Sequence, residues 1–218
     1  MKVILFGATG MVGQAVLREC LRDEGVEKVV IIGRRSTRQT HAKITELLLE
    51  DIFDVESARS QLARLDACFF CLGVSSIGLS ESAYTHQTYD LTICWANVLS
   101  QLNPAMTFIY VSGAGTGSRQ MWAQVKGRTE NALLKLFPHA YMFRLAAMQP
   151  MNGEVSSTGW TRVSYTLLKP LLPLMRALIS GAVITSEEFG RAMIRTAREG
   201  APKHVLENRD LIKLGQNR

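Results

Sequence analysis

The sequence predicts a doubly wound α/β domain, in which one parallel sheet carries helices on both faces and a small C-terminal segment covers the substrate side. Three observations predict it. Residues 3–6 are an apolar run, half of it β-branched, that stops at Gly7 and leads through two more glycines into an amphipathic helix. Short apolar runs then alternate with helical patterns as far as residue 145. Between residues 146 and 183 that rhythm is lost, and half of the six prolines fall there. A chain of 218 residues is long enough for one such domain and too short for two of ordinary size, so residues 1–218 are read as a single domain with 146–183 as a covering segment within it.

Each element has its own signal. After the first strand, Val12, Ala15, Val16, Leu17, Cys20 and Leu21 recur at helical spacing, and Gly25 marks the stop. A second strand at 26–32 ends in Gly33, Arg34, Arg35, Ser36 and Thr37. Residues 42–53 mix helix formers with leucines, and the alternation of strand and helix assigns their later part to a third strand ending near Asp51. A helix is expected over 55–65 and a fourth strand over 66–72, closing on Gly73. Ser80 and Glu81 start a long helix that runs to Leu102 and is broken by Asn103 and Pro104. The fifth strand, 106–111, delivers Ser112 ahead of a glycine-rich loop, and the next helix begins near Ser118. A sixth strand is placed at 141–145, a late helix at 187–198 and a last short strand at 203–206.

Composition excludes several classes. Hydrophobic content of 47% with 20% charged residues is that of an ordinary globular protein. The net charge of +6 and pI near 9.3 invite a nucleic-acid reading, but lysine and arginine are scattered without interleaved aromatics, so nucleic acid is not expected as a partner. Arg191, Arg195 and Arg198 share one helix face, read as solvated surface. The four cysteines lie inside apolar patterns, as reduced thiols of a cytoplasmic protein would. Cys68 and Cys71 have the spacing of a redox or metal pair, yet within a strand they point to opposite faces, so no metal is expected. No signal peptide is visible, and residues 167–184 contain Lys169, Pro170, Pro173 and Arg176, so no membrane span is expected.

The glycines carry the chemistry. Without β-carbons at Gly7, Gly10 and Gly13 a phosphate can approach the backbone, and the helix start behind them offers unpaired N–H groups and the positive end of its dipole. A pyrophosphate suits that position. About twenty residues on, where an acid would hold the ribose 2′-hydroxyl of NAD, stand Arg34 and Arg35 with Ser36 and Thr37, a set suited to a 2′-phosphate. NADP(H) is therefore expected over NAD(H). Asp51 is placed to reach the adenine amino group, and the loop from Gly73 to pass the cofactor ribose. Ser112, at the sheet edge where ligands collect, is a candidate for holding a substrate oxygen, and Trp122 and Lys126 share one face of the following helix.

These pieces in this order resemble the short-chain dehydrogenase/reductase superfamily, specifically its atypical NAD(P)-binding members, which include Tat-interacting-protein-like oxidoreductases and proteins labelled NAD-dependent epimerase/dehydratase. The resemblance covers almost the whole chain and rests on GATGMVG at 7–13, IIGRRS at 31–36, LLLEDI at 47–52, FFCLG at 69–73, IYVSGAG at 109–115, WAQVKGRTE at 122–130 and EEFGRAM at 187–193. It implies a Rossmann-type sheet, with the pyrophosphate on Gly7, Thr9, Gly10, Met11, Val12 and Gly13 and the adenosine phosphate on Arg34 and Arg35. It further implies adenine beside Asp51 and Ile52, the ribose along Cys71, Leu72 and Gly73, and the nicotinamide ribose on Lys126. In an active member the counterpart of Ser112 orients the substrate oxygen, and a tyrosine four residues before the lysine exchanges its proton.

Here that position is Trp122. An indole N–H donates a hydrogen bond but does not exchange a proton near neutral pH. Two functions follow as expectations. In one, Tyr110, Tyr84 or His86 supplies the proton and the protein is an NADP(H)-binding oxidoreductase- or epimerase-like enzyme for a small carbonyl or hydroxyl compound. In the other, the chain binds NADP(H) without hydride chemistry, Trp122 packs on the nicotinamide as a lid, and the protein acts as a cofactor-sensing partner of other proteins.

Overall fold

In the first strand, β1 (Lys2–Phe6), Val3 and Leu5 face one layer and Ile4 and Phe6 the other, all four fully buried. The computed structural model, which describes residues 1–154 and 181–216, builds a parallel sheet outward from it. The further strands are β2 (Lys28–Gly33), β3 (Ile44–Leu48), β4 (Ala67–Phe70), β5 (Thr107–Gly113), β6 (His139–Leu145), β7 (Ala147–Gln149), β8 (Val183–Thr185) and β9 (Val205–Glu207). Seven form one sheet in the order β3-β2-β1-β4-β5-β6-β9, parallel throughout, and β7 and β8 pair as a separate parallel ribbon.

The helices are α1 (Met11–Arg22), α2 (Val55–Ala58), α3 (Glu81–Thr85), α4 (Leu91–Leu102), α5 (Met121–Leu136), α6 (Ser186–Glu199) and α7 (Asn208–Gln216). Val16 of α1, Phe189 and Met193 of α6 and Leu211 of α7 share a core with Val3, Leu5 and Phe69. On the other face Val55 of α2, Trp95 and Leu99 of α4 and Leu133 of α5 pack with Ile4, Phe6 and Phe108. The fold is doubly wound, as the sequence predicts. Between β1 and β4 the chain changes sides of the sheet, and a crevice opens there at the carboxyl ends of the strands.

Several boundaries differ from expectation, each for a physical reason. The third strand ends at Leu48 rather than near Asp51, because Asp51 and Phe53 form a turn in which Asp51 Oδ1 accepts the Phe53 N–H at 2.9 Å. The helix expected over 55–65 is one turn of α2 followed by a 3₁₀ turn at Arg59–Gln61. Buried Asn103 takes over the backbone groups a longer helix would have paired: its Oδ1 accepts from Leu65 N at 2.9 Å and its Nδ2 donates to Leu62 O at 2.7 Å. The helix expected from Ser80 to Leu102 runs without a break as α3 and α4, with a π-helical stretch at His86–Asp90 between them. Helix α5 starts at Met121, after turns at Gly115 and Gly117 with φ near +86 and +89. The ribbon β7–β8 and helix α7 carry no sequence signal recognised above.

Cys68 belongs to one core and Cys71 packs against the other, and among the described residues no group of histidines, cysteines and acids could hold a metal. Each arginine of the basic face has a carboxylate neighbour, Arg191 with Glu187, Arg195 with Glu199 and Arg198 with Asp23. No described helix is long and apolar enough to cross a membrane. Most of the covering segment, residues 155–180, lies outside the described residues.

Asn103→Ala leaves the Leu65 N–H and Leu62 carbonyl without partners in a buried place, and is expected to lower the unfolding free energy by about 2–3 kcal/mol. A urea titration at unchanged m-value checks it.

Candidate functional site

The first loop is shaped by close approach. Gly7 leaves β1 with φ +78, and a Cβ there would lie 2.7 Å from the Cys71 carbonyl, just beyond β4. A Cβ on Gly13 would collide with the Gly7 carbonyl oxygen. Gly10 caps α1 in extended backbone (φ −83, ψ 161), its N–H donating to Gly7 O at 2.9 Å, and gives the helix no side-chain cap. The first-turn N–H groups of α1 are therefore left to whatever enters the loop.

A cleft of about 1150 Å³ opens beside that loop. It brings together Gly7, Thr9 and Gly10 from the first loop, Arg34 and Arg35 from the end of β2, Asp51 and Ile52 from beyond β3, and Cys71, Leu72 and Gly73 from beyond β4. Met11, Val12 and Gly13 are not on its wall; they form the first turn of α1, where Met11 and Val12 lie against the core. Arg34 and Arg35 are exposed and form no ion pair among the described residues. The two hydroxyls expected beside them serve another purpose. Thr37 donates from Oγ1 and N to Glu46 Oε1 of β3 at 2.5 and 2.7 Å. Burial opposes ionisation of Glu46, but hydrogen bonds from Ser36 and Thr37 outweigh it and hold the carboxyl below the usual carboxylate range. Glu46 thus ties down the loop that presents the two guanidinium groups.

The same cleft is lined by Phe53, whose ring stacks on His86 with centroids 4.6 Å apart and planes 11° from parallel, and His86 Nδ1 lies 3.3 Å from Asp90 Oδ2. Sequence reasoning noted His86 alone. Phe53 has no motif, and the stack exists only because the turn after β3 meets the π-helical stretch.

Ser112, Trp122 and Lys126 form a second cluster on β5 and α5, apart from that cleft wall. Ser112 is 6% exposed, and its Oγ donates to Glu130 Oε1 at 2.6 Å. Glu130, one helical turn beyond Lys126, is held by the Arg144 fork, Nε to Oε1 at 3.1 Å and Nη2 to Oε2 at 2.6 Å. Arg144 stands opposite Ser112 in the β5–β6 register and also reaches Glu207 at 3.2 Å. The i, i+4 spacing of Lys126 and Glu130 is legible in sequence; the register that brings up Arg144 is not. Lys126 Nζ donates to Val111 O at 3.4 Å and sits 5.3 Å over the Tyr110 ring. Burial pushes its ammonium down to about 8, against the opposing pull of Glu130.

Trp122 lies over the loop after β5, its ring 3.5 Å from the Cβ position of Gly113 and 3.8 Å from that of Gly115, with Nε1 donating to Gln120 Oε1. Of the proton donors considered in its place, Tyr110 and Tyr84 are 1% and 2% exposed, and burial pushes both phenols up. His86 stands at the Phe53 end of the cleft.

Below pH 8 Lys126 is protonated folded and unfolded, so its buried charge costs stability in full; from 8 to 10.5 the unfolded chain holds more protons and the cost fades. Lys126→Met is therefore expected to raise Tm by a few degrees at pH 7, with the gain shrinking towards pH 10. Thermal melts across that range check the sign.

The family of NAD dependent epimerases and dehydratases matches over residues 3–130. Leucinostatins biosynthesis cluster protein T of Purpureocillium lilacinum is 28% identical, over 88% of this chain and 83% of its own length. Among solved structures, a UDP-N-acetylglucosamine 4-epimerase from Methanobrevibacter ruminantium superposes with TM-score 0.70 at 16% identity, covering 94% of this chain and 74% of that one. WbmH of Bordetella bronchiseptica, solved with NAD⁺, gives TM-score 0.66 at 18% identity, covering 94% and 73%. Both share the fold of this chain. The chain belongs to the NAD-dependent epimerase/dehydratase family.

Proposed function

We propose that this protein binds NADP(H) in the cleft beside the glycine loop and acts as an oxidoreductase or epimerase-like enzyme on a small carbonyl or hydroxyl compound held near Ser112. The observation that carries it is the pair Arg34 and Arg35, exposed on the cleft wall at the end of β2 and held there by the Thr37–Glu46 bond. The glycine loop fits a pyrophosphate, because Gly10 offers the start of α1 without a capping side chain. Two guanidinium groups fit a 2′-phosphate, and the Phe53–His86 stack lining the same cleft offers a flat face. The bound dinucleotide would supply hydride transfer at its nicotinamide ring. Lys126 Nζ, now on the Val111 carbonyl, would hold ribose hydroxyls of the bound dinucleotide, and with its ammonium pushed down to about 8 it is also a group beside β5 able to release and regain a proton.

A second reading, a cofactor-sensing protein without turnover, is favoured by Trp122, whose ring covers Gly113 and Gly115 where a phenol would be needed.

NADPH fluorescence on binding, followed by its oxidation against a panel of aldehydes, ketones and nucleotide sugars, separates the two. Measurable native turnover supports the enzyme, whereas binding without turnover, with activity appearing in Trp122→Tyr, supports the sensor. Absence of NADPH binding defeats both. Arg34→Ala is expected to weaken NADPH by about tenfold while leaving NADH nearly unchanged; equal losses would show that the 2′-phosphate is held elsewhere.

A further inference from the structure

A serine hydroxyl carries one proton and can donate it in one direction only. At Ser112 that direction is set from behind. The Oγ–Oε1 distance of 2.6 Å to Glu130 is that of a hydroxyl donating to a carboxylate. Both oxygens of Glu130 already accept from the Arg144 fork, so Glu130 faces Ser112 as an acceptor. Arg144 is itself anchored on its far side by Glu207. What remains on Ser112 Oγ is lone pairs.

We infer that Glu130 is a positioning residue that fixes Ser112 as a hydrogen-bond acceptor, so that the site recognises its substrate as a hydroxyl compound donating O–H to Ser112 rather than as a carbonyl compound accepting from it. The substrate class is therefore an alcohol, and a carbonyl oxygen in the same place must find its donor elsewhere, with Lys126 Nζ the charged donor on the neighbouring turn of α5. The assignment rests on the placement of the substrate oxygen at Ser112 in the reading above. Its polarity does not, because the Ser112–Glu130–Arg144 chain is made of the protein's own side chains.

Two measurements test it. In a neutron structure of the perdeuterated protein, the Ser112 deuteron is expected on the line from Oγ to Glu130 Oε1; a deuteron on Glu130, or one turned away from it, overturns the proposal. In the protein saturated with NADP⁺, 2-phenyl-2-propanol, which has no carbinol hydrogen to lose, is expected to bind about tenfold more tightly than acetophenone. Ser112→Ala should abolish that preference, and Glu130→Gln should flatten it, a change that a merely structural glutamate would not produce. Equal or reversed affinities, no binding of either probe, or a preference that survives Ser112→Ala overturns the hydroxyl assignment. Failure of NADP⁺ to bind overturns the cofactor reading instead, and the deuteron position still decides the polarity of Ser112.

Discussion

The contact on which most else depends is the approach of Gly13 to the Gly7 carbonyl. It brings the first turn of α1 to the end of β1 with no room for a side chain between them, so the axis of α1 is aimed at the crevice beside β4. Gly7 is equally confined by the Cys71 carbonyl, which joins the glycine loop to the residues beyond β4. The other face of α1 packs on α6, where a Cβ on Gly190 would strike Glu19 and the Ala15 carbonyl. Arg18 extends the same helix to Glu154, within residues 146–183, and to Ser186 just beyond them. The glycine loop, α1 and residues 154 and 186 are thus one connected unit.

A second unit is built across β5, β6 and α5. The register that sets Ser112 opposite Arg144 allows both to meet Glu130, and Glu130 in turn opposes the effect of burial on Lys126. One buried carboxylate therefore influences the serine hydroxyl and the lysine ammonium together. That coupling is electrostatic and local, acting within one helical turn and one strand pair.

Sequence alone gave a good account of what is local. The alternation of Val3 to Phe6 between two cores, the glycine loop and the arginines after β2 are all short-range patterns, and the structure brings Gly7, Thr9, Gly10, Arg34 and Arg35 to one cleft. It failed where long-range contacts overrode local preference. Asn103 shortened the helix after Val55 by claiming its backbone groups, and the turn at Asp51 ended β3 early. The bond of Thr37 to Glu46 is not legible in the sequence, because Glu46 lies on a neighbouring strand whose register with β2 no local pattern reveals. The roles of Phe53, Glu130 and Arg144 were hidden for the same reason.

The central claim, that a phosphorylated dinucleotide lies along the glycine loop and the arginine pair, is tested most directly by amide hydrogen exchange with and without NADPH. Protection is expected together at residues 7–13, 33–36 and 71–75, with weaker protection for NADH at 33–36. Protection confined to other segments, or none at saturating NADPH, would contradict the account.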